Sequence, residues 1–157
     1  MRMIRGFRQI PDSVGPAVVT MGNFDGVHHG HQALMAQVVY AARSRGFPSC
    51  AVTFFPHPLK VLHPERAPTM IQSLEDRQAE IERQGLDYLV VVPFTLDLAS
   101  VEADDFVQDH LVTRLHCRVL FVGGDARFGR GRKGDVNLLG RYADQGAFEL
   151  HRVPAVE

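Results

Sequence analysis

The 157-residue sequence has no excess of charge of either sign: 17 Lys+Arg stand against 18 Asp+Glu, a formal net charge of −1. Bulk nucleic-acid binding usually comes with a strong basic excess, so this balance argues against nucleic acid as a partner. No apolar run approaches the roughly 20 residues needed to cross a bilayer, and no membrane span is expected. Met1 to Pro11 carries three arginines without an apolar stretch behind them, so no signal peptide is readable there. Cysteine is scarce. Cys50 and Cys117 each sit in an apolar run and read as buried reduced thiols on neighbouring strands, not as a disulfide, and the expected compartment is the cytoplasm. Internal repeats, low-complexity tracts and linkers are missing too. Hydrophobic residues make up 45% of the chain and charged residues 22%, the composition of a globular domain and not of a disordered one. The length suits a single domain.

The hydrophobic periodicity is that of an α/β chain. Ala17 to Met21 reads as a buried strand, and His31 to Arg45 as a helix with Leu34, Val38, Val39 and Ala42 on one face, stopped by Gly46. Ser49 to Phe55 is a second strand, ended by Pro56 and Pro58, and Pro58 to Thr69 reads as a loop. Ser73 opens a helix in the capping-box manner, with Gly85 as its stop. Leu86 to Phe94, apolar on both faces, is a third strand of the kind found inside parallel sheets. Ser100 to Ala103 is read as the cap of a helix running to about Leu115, Arg118 to Val122 as a fourth strand, Asp135 as the N-cap of a helix to about Gln145, and Phe148 to Val153 as a last strand. Such alternation predicts a right-handed, doubly wound parallel sheet.

Ligands of open parallel sheets bind beyond the carboxyl ends of the strands. Three motif-like segments fall at such ends. In Gly22-Asn23-Phe24-Asp25-Gly26-Val27-His28-His29-Gly30-His31, a strand passes through a tight turn into a helix. A helix N-terminus offers unpaired N–H groups and a positive dipole end to an anion, and Gly30 leaves a phosphate room to approach. His28 and His31, three apart, can face one ligand and donate to phosphate oxygens. The alternatives are histidines that cap the turn, or zinc, which normally needs three or four protein ligands.

In Thr53-Phe54-Phe55-Pro56-His57-Pro58, two prolines hold His57 rigidly at a strand end; the alternative is a strand terminator with a surface histidine. In Val122-Gly123-Gly124-Asp125-Ala126-Arg127-Phe128-Gly129, the glycines allow close backbone approach, Asp125 can hold magnesium or hydrogen-bond a substrate, Arg127 offers a fork for phosphate and Phe128 a ring face. The alternative there is a bulged strand end with a solvated ion pair. The basic loop Arg130-Gly131-Arg132-Lys133-Gly134 lacks interleaved aromatics and reads as solvated. His63, His110, His116 and His151 read as surface or structural.

Taken together, Gly-x-Phe-Asp-Gly-x-His-x-Gly-His, Thr-Phe-x-Pro-His-Pro and Val-Gly-x-Asp-x-Arg-Phe-Gly resemble the bacterial FAD synthetases, bifunctional riboflavin kinase/FMN adenylyltransferases, in their N-terminal adenylyltransferase module. The resemblance runs from about Ala17 to Val153. It implies a Rossmann-like nucleotidyltransferase fold and transfer of AMP from ATP to FMN, giving FAD and pyrophosphate, with Mg2+ on the triphosphate. It implies catalytic roles for His28 and His31 and an ATP pocket of Gly22, Asn23, Phe24, Asp25, His28, Gly30 and His31. Pro56, His57, Pro58, Asp125, Arg127 and Phe128 would form the flavin side, with Asp125 also the candidate metal ligand, and the basic loop would lie near the cleft. Two departures stand out: Ala126 takes a place where relatives commonly carry an aromatic, and the chain, read as one domain over residues 1–157, stops before the family's Ser-Ser-x-x-Ile-Arg-type segment and its riboflavin kinase module. The competing expectations are a flavin- or nucleotide-binding module without turnover, and a nucleotidyltransferase with another acceptor.

Overall fold

Alternate residues of the central strands feed two separate cores, one on each face of a single sheet. The structure, a computed structural model, describes residues 1–24, 29–67 and 73–153. Its six strands are β1 (Arg2–Arg5), β2 (Ala17–Met21), β3 (Ser49–Phe55), β4 (Tyr88–Pro93), β5 (Cys117–Gly123) and β6 (Glu149–Val153). All pairings are parallel, in the order β1-β4-β3-β2-β5-β6. Every residue of β2 is buried, as a strand covered on both faces must be. Val18, Ala51, Leu89, Val91 and Val119 pack under α1 (His29–Arg45) and α3 (Leu74–Arg83). Val19, Val52, Val90 and Leu120 pack on the other face, against α5 (Ala103–Phe106) and α6 (Val136–Asp144). The doubly wound α/β expectation holds.

The helix ends follow their expected chemistry. Ser73 Oγ accepts the Asp76 N–H at 3.1 Å and Asp135 Oδ1 accepts the Leu138 N–H at 3.0 Å. Gly46 and Gly85 terminate their helices at φ 70° and 93°.

Four expectations are corrected. The sheet has an edge strand, β1, in an arginine-flanked segment whose only buried residue is Ile4, too little pattern to mark it. The stretch from Pro58 is not all loop: α2 (Pro58–Leu62) and a 3₁₀ turn at Pro64–Arg66 occupy it, with proline in the first turn of each, while Pro68 and Thr69 lie outside the described residues. Ser100 closes a short α4 (Leu96–Ala99), capped by Thr95, and does not open the next helix; α5 begins after Glu102 and continues as a π-helix over Val107–Arg114. Finally, Cys50 and Cys117 are on β3 and β5, which flank β2 and do not touch as strands. Both thiols are free and buried; burial pushes Cys50 up to about 12 and raises Cys117 as well, so neither is a thiolate near neutral pH.

Candidate functional site

The direction of winding reverses between β2 and β5. From β2 the chain lays down β3 and β4 on one side, then crosses to place β5 and β6 on the other. A crevice is expected beyond the carboxyl ends at such a reversal. A cavity of about 500 Å³ occupies it, lined from the ends of β2 (Met21 to Phe24), β3 (Phe54, His57, Pro58), β4 (Phe94), β5 (Gly123 and Asp125 to Gly129) and β6 (Val153). Gly22, Asn23, Phe24 and His31 from the first segment, His57 and Pro58 from the second, and Asp125, Arg127 and Phe128 from the third all line it. Segments a hundred residues apart in sequence thus share one wall. Asp25 and His28 lie outside the described residues.

On the β2 side, the turn into α1 is tightly packed. Phe24 is buried and sits in the left-handed region at φ 54°, its ring edge-on to the His31 imidazole with centroids 5.4 Å apart. A side chain on Gly22 would meet that ring at 2.9 Å, so this position accepts only glycine without a shift. Asn23 lines the cavity, and its buried Oδ1 has no hydrogen-bond partner among the described residues. Buried acceptors are normally satisfied, so a donor on a ligand would complete this one. The N-terminus of α1 opens beside them, with Gly30 and His31 in its first turn.

The β3 and β5 sides differ in character. His57 is the N-cap of α2, its Nδ1 accepting the Leu59 N–H at 3.0 Å, which places the proton of the neutral ring on Nε2. The strand-terminator reading of Pro56-His57-Pro58 and the cavity-lining one are both true of this imidazole. Phe54 meets Phe94 edge-on at 6.2 Å and Phe106 at 6.4 Å, and Phe106 meets Phe128 at 5.2 Å. These four rings make an apolar floor suited to a flat aromatic ligand. Phe128 is therefore anchored in the core as well as facing the cavity; its backbone pairs with Gly134 in both directions, at 3.1 and 2.8 Å. Asp125 and Arg127 are exposed at the rim, and among the described residues Arg127 meets no acid and donates to the Ala126 carbonyl at 3.1 Å. Asp125 is the one carboxylate lining the cavity among the described residues, where no group of three metal-ligating side chains occurs.

A family model for FAD synthetase matches residues 10–157. The chain belongs to the FAD synthetase family. It is 35% identical to the bifunctional riboflavin kinase/FMN adenylyltransferase of Escherichia coli (strain K12) over 96% of its own length and 48% of that protein. To the protein of the same name from Pseudomonas fluorescens it is 36% identical, over 100% of its length and 50% of that protein. The chain thus spans about half the length of the curated relatives it matches. A solved structure from Streptococcus pneumoniae, named a macrolide-efflux protein, superposes on 99% of this chain and 51% of its own at TM-score 0.82 and 29% identity. That likeness bears on the fold. Among the described residues of this FAD synthetase domain, no helix is long and apolar enough to cross a membrane.

The sequence reading missed the apolar floor. Phe94, Leu98 and Phe106 line the cavity, but each looks locally like a strand end or a helix core residue. Arg132 also lines it; a basic loop was visible in the sequence, but not which of its cations would turn inward. His63, His110, His116 and His151 are structural or surface groups as expected: His63 and His116 are exposed, His151 stacks on Phe121 at 4.6 Å and bonds Glu149, and His110 stacks on Phe7 at 4.0 Å.

Proposed function

We propose that this domain transfers AMP from ATP to the phosphate of FMN, forming FAD and pyrophosphate. The observation that carries the reading is the single cavity at the sheet reversal, which has two chemically different ends. At the α1 end, Gly22, Asn23, Phe24, Gly30 and His31, together with Asp25 and His28 of the same segment, suit a triphosphate and its nucleoside. At the other end, the floor of Phe54, Phe94, Phe106 and Phe128 with His57 and Pro58 suits an isoalloxazine ring; Pro56 does not line the cavity and shapes the turn that presents His57, and Asp125 and Arg127 stand at the rim for the polar tail. Membership of the FAD synthetase family supports both assignments.

The step needs no covalent intermediate. An oxygen of the FMN phosphate attacks the α-phosphorus of ATP, the bond from that phosphorus to the bridging oxygen breaks, and pyrophosphate leaves. A phosphate dianion is already an adequate nucleophile at neutral pH, so the protein contributes positioning and charge stabilisation. The amides opening α1, with His28 and His31, take up charge on the triphosphate as it grows. Asp125 fits magnesium bound in that ion's usual manner, through one or two carboxylates with the remaining positions left to phosphate and water. Bound there, Mg2+ would neutralise triphosphate charge. In a longer gene product a riboflavin kinase module would supply FMN, and the cytoplasm, where ATP is plentiful, is the fitting compartment.

The test is to incubate the domain with FMN, ATP and Mg2+ and follow FAD by loss of flavin fluorescence. FAD and pyrophosphate in equal amounts are expected, with His31→Ala about 10²–10³ slower, the usual cost of removing one stabilising donor. Pyrophosphate release without FAD would replace FMN by another acceptor. Flavin and ATP binding with no turnover would leave a binding module.

A further inference from the structure

Arg77 is the one charged side chain that is fully buried among the described residues, at 1% exposure, and it does not line the cavity. A buried guanidinium is costly to desolvate and is weak evidence for stability as such. From α3 its Nη1 donates to Thr53 Oγ1 at 3.3 Å, and its guanidinium carbon lies 5.9 Å from the centre of the Phe55 ring. Thr53 is itself fully buried, and its hydroxyl donates to the backbone carbonyl of Asn23 at 2.9 Å. A hydroxyl has a single proton. Accepting from Arg77 commits that proton to Asn23, and the neighbouring positive charge makes it the stronger donor.

The carbonyl so held belongs to the peptide between Asn23 and Phe24, whose plane sets φ of Phe24. That φ is 54°, a conformation that is strained for a bulky non-glycine residue and persists only where its surroundings enforce it. The same peptide places Asn23 at the cavity and the Phe24 ring against His31 and over Gly22. We propose that Arg77 is a positioning residue for the nucleotide end of the site, acting through Thr53 on the Asn23–Phe24 peptide. The proposal rests on the nucleotide reading of that end and adds to it a residue with no contact to ligand, on a different helix.

The experiment measures ATP and FMN dissociation constants, together with melting temperature, for the unmodified domain, Thr53→Val, Thr53→Ser, Arg77→Met and the Thr53→Val/Arg77→Met double variant. Valine keeps the shape and the β-branch and removes the hydroxyl, which is both the donor to Asn23 and the acceptor of Arg77; serine keeps both. Thr53→Val is expected to weaken ATP about tenfold, the worth of one hydrogen bond. Thr53→Ser restores the affinity, FMN binding is unchanged throughout, and the double variant is no weaker than Arg77→Met alone. If Thr53→Val lowers the melting temperature but binds ATP as tightly as the unmodified domain, the relay is structural and the proposal is overturned. Additive losses in the double variant overturn the link between the two residues. If Arg77→Met does not fold, the Thr53 pair decides alone. Failure of the unmodified domain to bind ATP is a separate outcome, which removes the nucleotide reading and this proposal with it.

Discussion

The ring of Phe24 lies where a side chain on Gly22 would be, the nearest approach being 2.9 Å. The two residues therefore constrain each other: the strand can turn into α1 this tightly because position 22 has no Cβ, and Phe24 is held in its left-handed backbone conformation against His31. Gly22→Ala should push the ring away and move His31 with it. The expected result is a loss of about 1–3 kcal/mol in stability, as for other overpacked sites, and a larger loss of ATP than of FMN affinity. Unfolding curves and the two binding constants check this; equal losses for the two ligands would separate Phe24 from the nucleotide end.

A second glycine controls the phenylalanine floor. Gly129 has φ 77°, and a Cβ there would stand 2.7 Å from Ala103 Cα, at the start of α5. Neither backbone can give way cheaply. Gly129→Ala should destabilise the domain by about 1–3 kcal/mol or more and displace Phe128 from Phe106. Its mark in binding should be the reverse of the Gly22 variant, with FMN weakened more than ATP. Calorimetric titration of both ligands on both variants makes the comparison.

Acid stability should depend on His110. Burial against Phe7 and Phe106 is the main cause that lowers its pKa below 6.5; Arg114 adds to the lowering and Asp109 opposes it. The unfolded chain then binds the proton more readily than the folded one. Stability tied to the neutral ring is complete above about 6.5 and falls as pH drops from there to the lower folded value. His110→Phe keeps an aromatic on Phe7 and removes the titration. Its melting temperature should fall less than the parent's between pH 7 and pH 5, and an identical acid slope would show that His110 is not responsible.

The strand and helix alternation, three segments at strand ends and the family itself were legible because they depend on local pattern: β-branched runs, Ser73 and Asp135 as caps, and glycines after helices. What could not be read depends on distant partners. β1 is recognisable only once β4 lies beside it to pair Ile4 with Val90. Phe94 and Phe106 become a cavity floor only when β4 and α5 meet Phe54, and Arg77 looks like a solvated helix residue until α3 packs it against Thr53. His57 shows a middle case, since its sequence announces a rigid turn but not that its Nδ1 caps α2.

The central claim is that one cavity at the sheet reversal receives both substrates, nucleotide at α1 and flavin on the phenylalanine floor. A crystal structure of the domain soaked with FAD tests it most directly. The account predicts the adenylate half beside Asn23 and His31, the isoalloxazine against Phe54, Phe106 and Phe128, and the bridging phosphates between them near the opening of α1. A second hollow of about 510 Å³ lies at the opposite end of the strands, lined by Arg2, Phe47, Pro48, Asp87 and Tyr88. FAD bound there, or with its two halves exchanged, would contradict the account.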